Sequence, residues 1–174
     1  MKRLLMLSAF ALSLAACKQE VAGARPDPAP LTDEQLGHYC QMYVADHPGP
    51  KAQIHLEGYD HPMWFGQVSD AIAYLSDPER DAPVTAFYVT DMARAENWAV
   101  PGEAAWIDGE QALFLIESAR RGGMGMPEAI PFAGPDGATP MMAEAGGRLV
   151  PLAEVPEAYV RPDLGQVSMM KGHP

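Results

Sequence analysis

The apolar residues of this chain occur in short segments, and turn signals separate these segments every few residues. Residues 52–57 alternate apolar and polar side chains, which is typical of a half-buried strand, and residues 63–65 predict a second strand. Residues 68–77 have apolar side chains at helical spacing, and Ser69 is the expected N-cap of that helix. Residues 83–90 are rich in β-branched and aromatic side chains, which favours a third strand. The first half therefore predicts the order strand, strand, helix, strand.

The second half repeats this alternation without repeating the sequence. Its first two strands are predicted at residues 104–107 and 112–117, and Asp108-Gly109 between them is a tight hairpin signal. A strand, a short helix and a closing strand then follow at residues 129–133, 139–145 and 148–152. The predicted class is α+β with mostly antiparallel strands, and the two successions of elements cover about residues 38–92 and 104–155.

The N-terminus has the features of an export signal. Lys2 and Arg3 precede an apolar run that is too short to span a bilayer. The run ends in Leu-Ala-Ala-Cys at residues 14–17, which predicts a signal peptide over residues 1–16 and a lipid on Cys17. An ordinary secretory signal, with Cys17 incidental, is the alternative.

The remaining chain divides by composition into three parts. Residues 17–35 are rich in proline, alanine and charge, so a flexible, lipid-anchored linker is expected, with order beginning near Leu36. A single domain is expected over residues 36–160, and residues 161–174 form a loose tail. Removal of residues 1–16 leaves 10 basic and 23 acidic residues, a net charge of −13. That charge argues against nucleic acid as a partner and fits a cationic ligand or a basic partner, although solubility alone explains it equally simply.

Cys40 is the second of two cysteines, so it has no partner within the chain if Cys17 is lipidated. A lone thiol in an oxidising compartment is reactive, pairs between molecules, or binds a metal. Burial as a small apolar side chain is the alternative. Met42 lies two residues later, and in an extended segment the two side chains would project to the same face.

Cysteine and methionine sulfurs are soft ligands that select Cu(I). Met124 and Met126 lie in a glycine-rich loop, RRGGMGMPE, which offers little core for them to fill, so this loop is expected to supply a third sulfur. His38 is a candidate fourth ligand. The tail residues Met169, Met170 and His173 either bind copper loosely or have no role.

Several motifs occur in a fixed order: the lipobox at Cys17, Cys40-Gln41-Met42, HPMWFGQVSDAIAYL, VTAFYVTDM, and GGMGMP at residues 122–127. Together, over residues 14–155, they resemble the NosL family of copper-binding accessory lipoproteins of nitrous oxide reductase. The resemblance implies a pair of ββαβ units related to the organomercurial lyase fold. It also implies Cu(I) bound by Cys40, Met42 and Met124. Met126 departs from the family pattern, which leaves open which methionine supplies the third sulfur.

By this resemblance, the chain is a periplasmic copper chaperone rather than an enzyme. It would exchange Cu(I) with a membrane transporter complex and help to assemble the copper centres of nitrous oxide reductase. Lys18, after the lipidated cysteine, favours the outer membrane of a Gram-negative bacterium. Two alternatives stay open: a cysteine-dependent lyase or thiol-transfer enzyme that uses Cys40, and a lipoprotein that acts only as a scaffold.

Overall fold

A computed structural model describes residues 25–102 and 106–161 of the chain. The signal peptide, Cys17, Lys18 and the tail residues Met169, Met170 and His173 lie outside the described residues. Seven strands and three helices follow one another here, together with 3-10 turns at Val44–Asp46 and Leu152–Glu154. No helix in the described ranges is both long and apolar enough to cross a membrane.

The first unit is an antiparallel sheet with one helix. Its elements are β1 (Ala52–Leu56), β2 (Met63–Phe65), α1 (Val68–Leu75), β3 (Val84–Thr90) and β4 (Trp106–Asp108). The strand order is β2-β1-β3-β4, with β1 paired to both β2 and β3. The predicted order of strand, strand, helix and strand is therefore confirmed for β1 to β3.

The second unit has the same connectivity in a smaller sheet. Its elements are β5 (Leu113–Ile116), β6 (Ile130–Phe132), α2 (Pro135–Ala145) and β7 (Arg148–Pro151), followed by the short helix α3 (Glu157–Val160). The strand order β6-β5-β7 matches β2-β1-β3, because the first strand of each unit lies in the centre of its sheet. The predicted α+β class with two ββαβ units is confirmed.

The predicted hairpin across Asp108-Gly109 is wrong. β4 pairs with β3 in the first sheet, whereas β5 belongs to the second sheet. Gly109 instead allows a close approach, since a Cβ on it would lie 2.3 Å from the ring of the buried Phe87. Its N–H donates to the carbonyl of Phe87, so the chain leaves the first sheet at this glycine and crosses to the second.

Two further expectations need correction. Gln67, not Ser69, is the N-cap residue of α1, and Ser69 is buried inside the first turn of the helix. Ordered structure also begins before Leu36. The Tyr88 hydroxyl donates to the Pro26 carbonyl, and the amide of Gln53 forms two hydrogen bonds with the Ala29 backbone. Polar groups of the first sheet thus hold a segment whose composition suggests a free linker.

One apolar core joins the two units. It contains buried side chains from both sheets and from α1, including Ile54, Phe65, Ile72, Phe87, Phe114, Ile116 and Val150. A second, smaller cluster lies between α2 and its own sheet and is formed by Met92, Leu115, Ile130, Phe132 and Ala138. Because the larger core takes residues from both units, neither sheet buries its apolar face by itself.

Candidate metal centre

Residues 36–43 form a closed loop, which we call the cysteine loop. Leu36 and Tyr43 form an antiparallel bridge at its base, and the Gly37 N–H donates to the Met42 carbonyl at 2.9 Å. Gln41 has a positive φ of 55°, a left-handed conformation, and its N–H donates to the Gly37 carbonyl. The expected extended segment is therefore wrong, because the chain turns between Cys40 and Met42.

The turn still places the two sulfur residues in one small structure. The Cys40 Sγ lies 4.0 Å from the Met42 carbonyl oxygen, and a Cβ on Gly37 would lie 2.5 Å from that sulfur. A side chain at residue 37 would thus displace the thiol. Cys40 is a free cysteine of intermediate exposure, which does not fit the alternative of a fully buried thiol, and Met42 is 44% exposed.

The cysteine loop is attached to β2. The His38 N–H donates to the Trp64 carbonyl at 2.7 Å, and Gly37 forms a parallel bridge with the same residue. The His38 ring packs against Phe65 and Tyr74, with ring centroids 5.7 and 5.3 Å away. Packing in this aromatic group accounts for the position of His38 without a metal.

Residues 121–127 form a second tight loop, which we call the methionine loop. Arg121 and Pro127 bridge at its base, and the Gly122 N–H donates to the Met126 carbonyl at 2.9 Å. Gly125 has a positive φ of 78° and donates to the Gly122 carbonyl. Met124 and Met126 both lie in this turn and are 41% and 45% exposed.

The two loops are anchored on the same short segment of chain. Trp64 holds the cysteine loop, and Gln67, three residues later, accepts a hydrogen bond from the Met124 N–H at 2.9 Å. Three residues of extended chain span about 10 Å, so the two anchor points are neighbours. His47 lies between this segment and the methionine loop, because Cβ atoms on Gly66 and Gly123 would lie 3.2 and 2.7 Å from its side chain.

Exposed apolar surface is concentrated at these loops. Eight large apolar side chains are exposed in the described chain, and six of them belong to the two loops: Leu36, Tyr39, Met42, Tyr43, Met124 and Met126. Exposed apolar side chains that cluster in this way indicate a contact or ligand surface, whereas single exposed apolar side chains are common on any protein. Three methionines, Met42, Met124 and Met126, therefore belong to this exposed apolar surface, and Cys40 lies in one of its loops.

Nitrogen and oxygen donors do not form an alternative centre in the described part of the chain. In residues 25–102 and 106–161, no group of three or more histidine, cysteine, aspartate or glutamate side chains could hold a metal ion. The donor set at the two loops is sulfur, which suits a soft monovalent ion such as Cu(I) better than Mg²⁺, Ca²⁺ or Mn²⁺.

Buried polar groups behind the methionine loop were not found by sequence reasoning. Glu128 is fully buried, and its Oε1 accepts hydrogen bonds from the Ser69 N–H at 2.9 Å and the Ala129 N–H at 3.0 Å. Burial raises the pKa of Glu128 to about 8. Lys51 is also buried, which lowers its pKa to about 8, and its Nζ donates to the His47 and Gly49 carbonyls at 2.6 Å.

Comparison with known proteins places this chain in a family. The NosL family model matches residues 28–160. A copper-binding lipoprotein NosL from Achromobacter cycloclastes is 46% identical over 91% of this chain and 82% of that protein. The copper-binding lipoprotein NosL from Stutzerimonas stutzeri is 28% identical over 91% of this chain and 80% of that protein.

A solved structure agrees with the fold. The crystal structure of the copper chaperone NosL from Shewanella denitrificans matches with a TM-score of 0.70 and 27% sequence identity. The match covers 78% of this chain and 98% of that one. The family model, the sequence relatives and the shared fold agree, and the chain belongs to the NosL family.

Proposed function

We propose that this protein is a Cu(I)-binding metallochaperone whose copper site is formed by Cys40, Met42 and Met124. The observation that carries the proposal is the closed cysteine loop, which holds a free cysteine and an exposed methionine in one turn, with the thiol 4.0 Å from the Met42 carbonyl oxygen. The methionine loop, anchored three residues away on the same segment, supports a third sulfur. The names of the NosL relatives, copper-binding lipoprotein and copper chaperone, support copper as the cargo.

Met124 is the better candidate for the third sulfur. Its backbone N–H is held by Gln67, so its position relative to the anchor of the cysteine loop is fixed. Met126 lies nearer the base of the loop, where its carbonyl accepts from Gly122. His38 is left out of the proposed set because its ring packs against Phe65 and Tyr74.

The exposure of the site suits transfer better than storage. Met42 and Met124 are residues that are more than two-fifths exposed, which leaves room for an incoming cysteine, methionine or histidine of a partner to displace one sulfur at a time. Bound Cu(I) would hold Cys40 as a thiolate and protect it from oxidation. The hydrogen-bond contact of the thiol among the described residues is the Met42 carbonyl, which is not a general base, so an enzyme that uses Cys40 as its nucleophile is less well supported.

The proposal includes a place and partners for the chaperone. The lipobox and the lipoprotein names of two relatives support a lipid on Cys17, with the folded domain on the periplasmic side of the membrane and the outer membrane favoured by Lys18. The family resemblance implies exchange of copper with a membrane transporter complex and delivery to nitrous oxide reductase. The mature net charge of −13 would speed docking to a basic partner surface.

An anaerobic Cu(I) titration against a competing chelator tests the site. We expect residues 18–174 to bind one copper ion per chain tightly and Cys40→Ser to lose this binding. Met42→Leu and Met124→Leu each remove a thioether at nearly constant volume and should weaken binding by about tenfold or more. Met142→Leu, a half-buried methionine on α2, is the matched control and should bind as the wild type does. Unchanged affinity in Cys40→Ser would refute the proposed site.

A further inference from the structure

Gln67 is a buried polar residue whose side chain contacts the methionine loop instead of capping its own helix. It occupies the N-cap position of α1, yet its side chain makes no capping hydrogen bond to the helix. Only 2% of the residue is exposed. Its Oε1 instead accepts the Met124 N–H of the second unit at 2.9 Å. The hydrogen bond to the methionine loop therefore provides a partner for a buried amide oxygen that the helix does not use.

The oxygen of the Gln67 amide has a defined partner. The Met124 N–H requires an acceptor, which fixes the oxygen on that side. The Asp70 carboxyl group, in the first turn of α1, lies near the Gln67 side chain. The hydrogen bond from Met124 therefore orients the amide oxygen of Gln67 toward the methionine loop.

The methionine loop passes directly over this amide. A Cβ on Gly122 would lie 2.5 Å from the Gln67 Oε1, so glycine is needed for the backbone to approach so closely. The base of the loop is held separately, because the Ser69 hydroxyl donates to the Pro127 carbonyl at 3.0 Å. Loss of the Gln67 contact would leave the base of the loop in place and free the turn that contains Met124.

Gln67 also lies on the segment that anchors the cysteine loop, three residues after Trp64. A displacement of Met124 relative to this segment is a displacement relative to Cys40 and Met42. We propose that Gln67 is a positioning residue that sets the distance between the Met124 sulfur and the two sulfurs of the cysteine loop. This inference rests on the proposed function, because it needs Met124 as a copper ligand.

A double-mutant cycle tests the inference on the chain of residues 18–174. Gln67→Leu, Met124→Leu and the double variant are compared by anaerobic Cu(I) competition, and X-ray absorption counts the sulfurs around the copper. We expect Gln67→Leu to weaken binding by about tenfold, as for other residues that orient metal ligands, and to lower the sulfur count. In the Met124→Leu background, the same change should have no further effect.

Gln53→Leu is the matched control. Gln53 is likewise fully buried, and its amide hydrogen-bonds the Ala29 backbone on the first sheet instead of a loop of the site. We expect Gln53→Leu to lower stability, measured by urea denaturation, without changing copper affinity or the sulfur count. If Gln67→Leu does not fold, Gln67→Asn keeps the amide but withdraws it by one methylene, and the same loss of affinity is expected.

The outcomes separate the two proposals. Weaker binding in Met124→Leu together with wild-type binding in Gln67→Leu would overturn the positioning role and leave the proposed function standing. Additive losses in the double variant, or an equal loss in Gln53→Leu, would also overturn it. If Cys40→Ser and Met124→Leu both bind copper as the wild type does, the proposed function fails and the positioning role fails with it.

Discussion

Glu128 makes the stability of the fold depend on pH in a way that one substitution should remove. The carboxyl group is fully buried, and burial raises its pKa to about 8 from an ordinary value of 4.5. One oxygen accepts backbone hydrogen bonds, whereas Oε2 is buried without a partner. Glu128→Gln keeps the shape and an acceptor oxygen but removes the titration.

The sign follows from proton binding in the two states. Between pH 4.5 and about 8, the folded protein keeps a proton on Glu128 that the unfolded chain has released, so the free energy of unfolding falls as pH rises. The slope is about 1.4 kcal/mol per pH unit, which amounts to about 3 kcal/mol between pH 5.5 and 7.5. The nearby charge of Asp70 favours the protonated form, and Lys51 and the Tyr159 hydroxyl also lie close to Glu128.

Urea denaturation of the metal-free protein at pH 5.5, 6.5 and 7.5 measures this effect. Between pH 5.5 and 7.5, the free energy of unfolding of the wild type should fall by about 3 kcal/mol relative to that of Glu128→Gln. Glu110→Gln, which removes an exposed carboxyl in the turn after β4, should follow the wild type. Parallel pH profiles for the wild type and Glu128→Gln would refute the assignment of a buried, protonated carboxyl group.

Two further changes test the packing of the first sheet. Gly109→Ala places a Cβ 2.3 Å from the Phe87 ring and should lower the free energy of unfolding by about 1–3 kcal/mol, whereas Glu110→Ala beside it should have little effect in the same denaturation experiment. Arg25→Ala removes a partly exposed ion pair with Asp108 and should change that free energy by less than about 1 kcal/mol. Limited proteolysis should nevertheless cut the segment near residue 25 faster in Arg25→Ala, and an unchanged cleavage rate would contradict its anchoring by this pair.

Local patterns were sufficient to predict most of the secondary structure. The strands at residues 52–57 and 129–133 and the helix at residues 68–77 agree with β1, β6 and α1 to within about two residues, because burial on one face produces a regular apolar spacing. α2 begins earlier than the predicted residue 139, at Pro135, where proline is well suited to the first helical turn. β4 could not be assigned to its sheet, since Asp108-Gly109 has the composition of a hairpin whatever strands it joins.

The candidate site was likewise predicted only in part from the sequence. Cys40, Met42, Met124 and Met126 can be proposed as ligands from residue type and spacing, because soft donors are scarce and chemically distinctive. The turn at Gln41 could not be predicted, since no local sequence pattern indicates that a glutamine adopts a left-handed conformation. Gln67 was also missed, because its partner lies 57 residues away and its role is visible only in three dimensions.

The carboxyl group of Glu128 also has a consequence for the order in which the protein assembles. It accepts the Ser69 N–H in the first turn of α1, although the two residues are 59 positions apart in the chain. That helix begins with unsatisfied N–H groups, and one of them receives its acceptor only when the second unit docks. Contacts over such separations form late, since long stretches of chain must first be brought together. We therefore expect the methionine loop, which contacts Gln67 across the same boundary between the units, to become ordered in the last stage of folding, so that a chain acquires its full set of sulfur residues only when both units are complete.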